Sequence, residues 1–152
     1  PEDIVELALR EINLPGRFEV ITSAPLFVLD GAHNPPGAIA AAQTLRNGFA
    51  NNGRRILIVG MTEEKDADWM LSSLDADQAD LIICTQAESP RSMDAKTLTE
   101  VASSLNENVL ASSSPKEALD KAFESASDED VIFGTGSMYV VGALREAYES
   151  FK

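Results

Sequence analysis

Leu26-Phe27-Val28-Leu29-Asp30-Gly31-Ala32-His33-Asn34-Pro35 reads as a strand that stops at a turn, and an Ala-rich stretch from Pro36 to Arg46 follows as a helix. Four consecutive apolar residues without alternation are the pattern of a strand covered on both faces. Gly31 permits a tight turn, and proline is tolerated in a first helical turn. The same strand-then-helix unit recurs down the chain. Ile56–Val59 ends at Gly60 and precedes a helix over Asp66–Leu74; Leu81–Cys84 precedes one over 94–105. A weaker strand, Val109–Ala111, leads to a helix over 115–126 opened by Ser114-Pro115, and Val131–Phe133 leads to a closing helix over 138–151. Upstream, a short helix over 3–12 and a turn at Leu14-Pro15-Gly16-Arg17 precede Phe18–Ile21, which faces Leu26–Leu29 across a longer loop, Thr22-Ser23-Ala24-Pro25. Near-strict alternation after residue 26 predicts one α/β domain over 1–152: a doubly wound, mostly parallel six-stranded sheet with helices on both faces. The first strand is the antiparallel exception, because only its connection is short enough for a hairpin.

Composition narrows the function classes. The chain has 152 residues, 44% of them apolar, which is enough to bury a core and places it among globular domains. Its net charge of −13 argues against nucleic acid as a partner, since phosphate binding needs a basic face. No window is apolar enough to span a membrane, and the acidic N-terminus lacks the pattern of a signal peptide. A single cysteine, Cys84, excludes an intrachain disulfide, and a single histidine, His33, excludes a multi-histidine metal site. Cys84, Trp69, Met70 and Leu71 read as core. The chain starts at Pro1 rather than Met, as a processed chain or a piece of a longer one does. The charge is concentrated in residues 61–130, net −12, so an anionic ligand is repelled least by the two ends of the chain.

In sheets of this kind ligands bind beyond the carboxyl ends of the strands. Asp30 and His33 there combine an acceptor for ribose hydroxyls with a donor for phosphate, beside a helix N-terminus that attracts anions. The plainer reading of the same residues is a capped turn, with Asp30 and Asn34 bonded to backbone amides. Asp66 is placed as an N-cap, and Lys65 stands at a helix N-terminus where cations are disfavoured. Gly134-Thr135-Gly136-Ser137 begins like a dinucleotide loop but has Tyr139 at the sixth position, so a glycine turn is the simpler reading. Arg91 reads as a loop cation. No phosphate-cradling P-loop and no nucleophile–histidine set is present in the sequence, so these residues alone complete no active site.

Taken together, Leu14-Pro15-Gly16-Arg17-Phe18-Glu19-Val20-Ile21, Leu29 through Pro35, Gly60-Met61 through Lys65-Asp66, Ser89-Pro90-Arg91 and Gly136-Ser137-Met138-Tyr139-Val140-Val141-Gly142 resemble one family in order and spacing. It is the C-terminal domain of folylpolyglutamate synthase/dihydrofolate synthase, a branch of the Mur ligase superfamily. The Asp30-Gly31 form is similar to the folate branch, whereas the peptidoglycan ligases often carry Asp-Tyr there. Pro36 and Glu64 stand where Asp is common in the family.

The resemblance implies a cytoplasmic, ATP-dependent ligase. Such an enzyme phosphorylates a folate or dihydropteroate carboxylate and joins L-glutamate to it through the acyl phosphate. It implies that Arg17, Asp30 and His33 hold ATP, with His33 also catalytic, and that Lys65 and Ser137 approach the incoming glutamate. It further implies that the P-loop and the ligands of Mg2+ belong to a preceding ATPase domain that this chain lacks, leaving no metal ligand here. The competing reading is a free-standing acidic α/β module that binds or regulates without catalysis.

Overall fold

The computed structural model describes residues 17–48 and 53–151. The helix expected over 3–12 and Leu14-Pro15-Gly16 of the expected turn lie outside these residues, and Arg17 is the first residue described. In chain order the elements are β1 (Glu19–Ser23), β2 (Leu26–Asp30), α1 (Pro35–Gly48), β3 (Arg55–Val59), α2 (Ala67–Ser73), a 3-10 turn at Ala76–Gln78, β4 (Leu81–Cys84), α3 (Ala95–Ser103), β5 (Val109–Ala111), α4 (Pro115–Ser125), β6 (Val131–Thr135) and α5 (Met138–Glu149). The six strands form one sheet in the order β1-β2-β6-β3-β4-β5. β1 runs antiparallel to β2, and every other pair is parallel. The hairpin is tighter than its sequence suggests. Ser23 pairs with Leu26, so only Ala24-Pro25 turn the chain, through a cis peptide, and a bulge between Val20 and Thr22 absorbs the extra residue.

Alternate strand residues feed two cores. Val28, Leu57, Val59, Ile82, Cys84 and Phe133 pack under α1, α2 and α3. Phe27, Leu29, Ile56, Ile58, Ile83 and Ile132 pack under α4 and α5 on the opposite face. Both faces being dry explains why these strands are continuous apolar runs. One reading fails. Trp69 is 60% exposed, because the short helix α2 turns Ala67, Met70 and Leu71 inward and leaves position 69 on the far side.

At the amino edge of the sheet, one buried carboxylate ties the chain together. Asp130 accepts from the Arg54 amide at 2.7 Å and the Ser127 amide at 2.9 Å, with the Arg54 guanidinium at 3.4 Å. The Ser127 amide first, and Arg54 after it, hold this carboxyl below its ordinary value. Asp130→Ala is expected to strand two amides at about 1–3 kcal/mol each, lowering Tm by roughly 4–24 °C. Because the folded-state value is depressed, the stability that Asp130 contributes is present above 3.8 and lost as pH falls through the folded value. Melts of the two proteins at neutral pH and at strongly acid pH check both points: the difference shrinks in acid.

Candidate functional site

β6 lies between β2 and β3, and Asp30, Thr135 and Val59 stand level across the three strands. α1 and α2 leave β2 and β3 over one face of the sheet, whereas α5 leaves β6 over the other. The loops therefore part at this point, making the crevice where ligands bind in open α/β sheets. Residues Gly31–Asn34, Gly136–Ser137 and Gly60–Asp66 line it, so the fold brings Asp30, His33, Lys65 and Ser137 to one edge. Arg17 joins them because the Phe18 amide is bonded to Asp30.

Asp30 does what the plainer reading expects. Its Oδ2 accepts from the Phe18 amide at 3.0 Å and its Oδ1 from the Ala32 amide at 2.8 Å. Burial pushes its carboxyl above the ordinary 3.8, opposed by these two amides and by Arg17. Each oxygen keeps lone-pair capacity for a further donor. His33 is exposed, and its Nδ1 lies 3.2 Å from the Gly31 carbonyl oxygen. A carbonyl only accepts, so Nδ1 carries a proton when this contact is a hydrogen bond, and Nε2 can donate to a phosphate only in the doubly protonated ring. Asn34 caps α1, its Oδ1 accepting from the Gly37 amide at 2.9 Å.

Lys65 is half-buried and sits just before the N-cap Asp66, whose side chain accepts from Trp69. Its loop is zipped to the loop after β4. Thr62 bridges Ser92, the Met93 amide reaches the Met61 carbonyl at 2.8 Å, and the Glu63 amide reaches the Arg91 carbonyl at 2.8 Å. Arg91 is thus more than a loop cation: it donates to Glu64 at 2.9 Å, and the Thr62 hydroxyl donates to the same carboxylate at 2.8 Å. Ser137 is buried, and its Oγ accepts from the Val140 amide at 3.1 Å as the N-cap of α5. Just before it, Gly136 has φ of 114°, and a Cβ there would stand 2.0 Å from the Gly60 carbonyl oxygen. This close approach of two loops bears out the glycine turn and requires glycine.

Two features escaped the reading of the sequence. The Thr85 and Thr135 hydroxyls are buried at this edge without a partner, a cost tolerated at sites more than elsewhere. The Gly134-Thr135-Gly136 turn was a signal for one of them. Large apolar side chains are also exposed on the helices that leave this edge. Ile39, Trp69, Met138 and Tyr139 are 45–60% exposed, and each falls within the first five residues of a helix leaving this edge. Among the described residues, no three His, Cys, Asp or Glu side chains gather as a metal site, and no helix is long and apolar enough to cross a membrane.

Known proteins share this arrangement. Residues 16–138 match the family model described as Mur ligase, glutamate ligase domain. The chain is 32% identical over 163 residues to dihydrofolate synthase/folylpolyglutamate synthase of Mycobacterium tuberculosis, covering 96% of this chain and 33% of that protein. The Escherichia coli protein of the same name is 28% identical over 149 residues, covering 98% and 34%. Among solved structures, Escherichia coli FolC in complex with DHPP and ADP superposes with a TM-score of 0.82 at 30% identity, over 91% of this chain and 32% of that one. A bifunctional folylpolyglutamate synthase/dihydrofolate synthase with Mn, AMPPNP and L-glutamate bound gives 0.80 at 31%, over 90% and 32%. The chain thus spans about a third of the length of these relatives. With the sheet order, the switch-point crevice and the family match in agreement, this chain belongs to the glutamate ligase domain family of the Mur ligases.

Proposed function

We propose that this chain is the C-terminal domain of an ATP-dependent ligase that joins L-glutamate to a folate or dihydropteroate carboxylate. The observation that carries the reading is the cluster of Arg17, Asp30 and His33 at the switch point, in a chain of this family. Its relatives include enzymes named for folate glutamylation and solved with ADP or with AMPPNP and L-glutamate.

In the reaction, the substrate carboxylate attacks the γ-phosphorus of ATP and ADP departs. The glutamate amine then attacks the acyl carbon, and phosphate leaves as the amide forms. Asp30 accepts from the ribose hydroxyls, using the lone pairs its two amides leave over. Arg17 and His33 hold the phosphates, where negative charge must be stabilised during transfer. Lys65 offers a cation to a carboxylate of the incoming glutamate, and Ser137 with the N-terminus of α5 lies across the crevice from it.

A P-loop and the ligands of Mg2+ come from an ATPase domain elsewhere in the parent protein. The metal supplies charge neutralisation at the phosphates, and no residue of this chain is assigned to it. Two observations support a half-site of this kind. The relatives are about three times longer, and the exposed apolar side chains on the first turns of α1, α2 and α5 suit a surface that a second body covers. Since ATP is a substrate, the reading places the protein in the cytoplasm.

The full-length protein is expected to consume ATP only with both a folate-type carboxylate and L-glutamate, forming a glutamylated product. Purified 1–152 is expected to form none, because the triphosphate cradle that supplies most of the catalysis is not in it. Product analysis by mass spectrometry decides; a glutamylated product from 1–152 alone overturns the half-site.

A further inference from the structure

Phe18 is read from the sequence as the first residue of a strand. In the structure it lies outside β1, with φ of 44°, a left-handed backbone that a residue with a Cβ seldom adopts. Glycine would make this turn without steric cost. What phenylalanine adds is a ring that is 6% exposed and packs on Phe133 at 6.4 Å between centroids, in the core beneath α1, α2 and α3. The same residue donates its amide to Asp30 Oδ2 at 3.0 Å, across 12 positions of sequence. With Ala32 on the other oxygen, both carboxylate oxygens are fixed. Arg17, the residue before the kink, is exposed. Its direction is set by the backbone it joins.

We propose that Phe18 is a positioning residue for nucleotide binding: its buried ring and left-handed backbone fix where Arg17 leaves the fold and how the Asp30 carboxylate faces. This rests on the reading that Arg17 and Asp30 hold the nucleotide. Its ring is buried in the core, so it acts on the nucleotide through its neighbours. An anchor of this kind spares the nucleotide the cost of ordering an exposed arginine.

The test is ADP affinity in the full-length protein, with kcat at saturating ATP and a thermal melt on each variant. Phe18→Gly keeps the turn and the amide but frees the anchor, and is expected to weaken ADP about tenfold with kcat within about twofold of the parent. Phe18→Leu keeps a buried anchor and should stay within about twofold of the parent in affinity. Should Phe18→Gly fail to fold, Phe133→Leu loosens the same ring from the other side and is expected to weaken ADP measurably. In an Arg17→Ala background, Phe18→Gly is expected to weaken ADP by clearly less than it does in the parent, because only the part of its effect that runs through Asp30 is left.

Loss of ADP affinity in Arg17→Ala with none in Phe18→Gly or Phe133→Leu overturns the proposal and leaves the nucleotide reading standing. So does full additivity in the double variant. Unchanged affinity in Arg17→Ala overturns both. A lowered Tm with unchanged ADP affinity in the Phe18 variants reduces Phe18 to a packing residue, and the proposal fails.

Discussion

Gly136→Ala is expected to cost at least about 4 kcal/mol, enough to lower Tm by roughly 8–16 °C or to prevent folding. Its Cβ would stand 2.0 Å from the Gly60 carbonyl oxygen, 3.0 Å from the carbonyl carbon and 3.1 Å from Val59 Cγ2. No rotation relieves a clash with backbone. The loops after β3 and β6 have to separate, and the bond from the Gly60 amide to the Thr135 carbonyl, already 3.3 Å, is the first to go. A left-handed backbone adds about 1–2 kcal/mol for any residue with a Cβ. Gly142→Ala is the internal control. It lies inside α5 with nothing within 4 Å of the new methyl, so it should stabilise by about 0.5–1 kcal/mol. Thermal melts of both variants decide. A Gly136→Ala protein melting within about 2 °C of the parent shows that this crossing of loops is not rigid.

Asp30→Ala and Asp30→Asn should each damage both stability and nucleotide binding in the full-length protein. Alanine strands the Phe18 and Ala32 amides at about 1–3 kcal/mol apiece. Asparagine is little better, since its one oxygen satisfies one amide while its NH2 confronts the other donor. Tm is expected to fall by roughly 4–24 °C, and the KM for ATP to rise tenfold or more as charge-assisted bonds to the ribose disappear. Turnover at saturating ATP should be largely spared, because Asp30 binds and does not touch the transferred phosphate. The pH dependence has a definite sign. Burial raises the folded-state value above 3.8, so a charge-burial penalty that is absent below 3.8 builds up as pH rises through the folded value. The parent's stability advantage over Asp30→Asn is therefore largest in acid and shrinks toward neutrality. An unchanged KM for ATP beside a lowered Tm would make Asp30 a turn residue and nothing more.

Much of this was legible in the residues themselves. Runs such as Leu26–Leu29 and Ile56–Val59 announce strands buried on both faces, and Ser114-Pro115 and Asp66 announce helix starts that the capping bonds bear out. The turn at Asp30 through Pro35 stands at the carboxyl end of β2, the edge where open α/β sheets bind their ligands. Strand order was not legible, because periodicity reports which face a residue takes and is silent on its neighbour across the sheet; nothing in Val131–Phe133 says that it separates β2 from β3. Trp69 was misplaced because hydrophobicity suggested the core while the turn of a seven-residue helix put it outside. The Phe18 kink was hidden because its cause is a partner twelve residues away. For Asp30, binding and capping were weighed as alternatives, yet a carboxylate has lone pairs enough for both.

The position of β6 also bears on how the domain comes into being. The strand that joins β2 to β3 is the last one in sequence. While the ribosome is still adding residues beyond β5, β1–β2 and β3–β4–β5 are two pieces with an open seam between them. Each exposes strand edges that can pair with the wrong partner. Only the emergence of Val131–Thr135 closes the seam, and it brings Gly136 and Ser137 with it. The crevice and the sheet are completed by the same event.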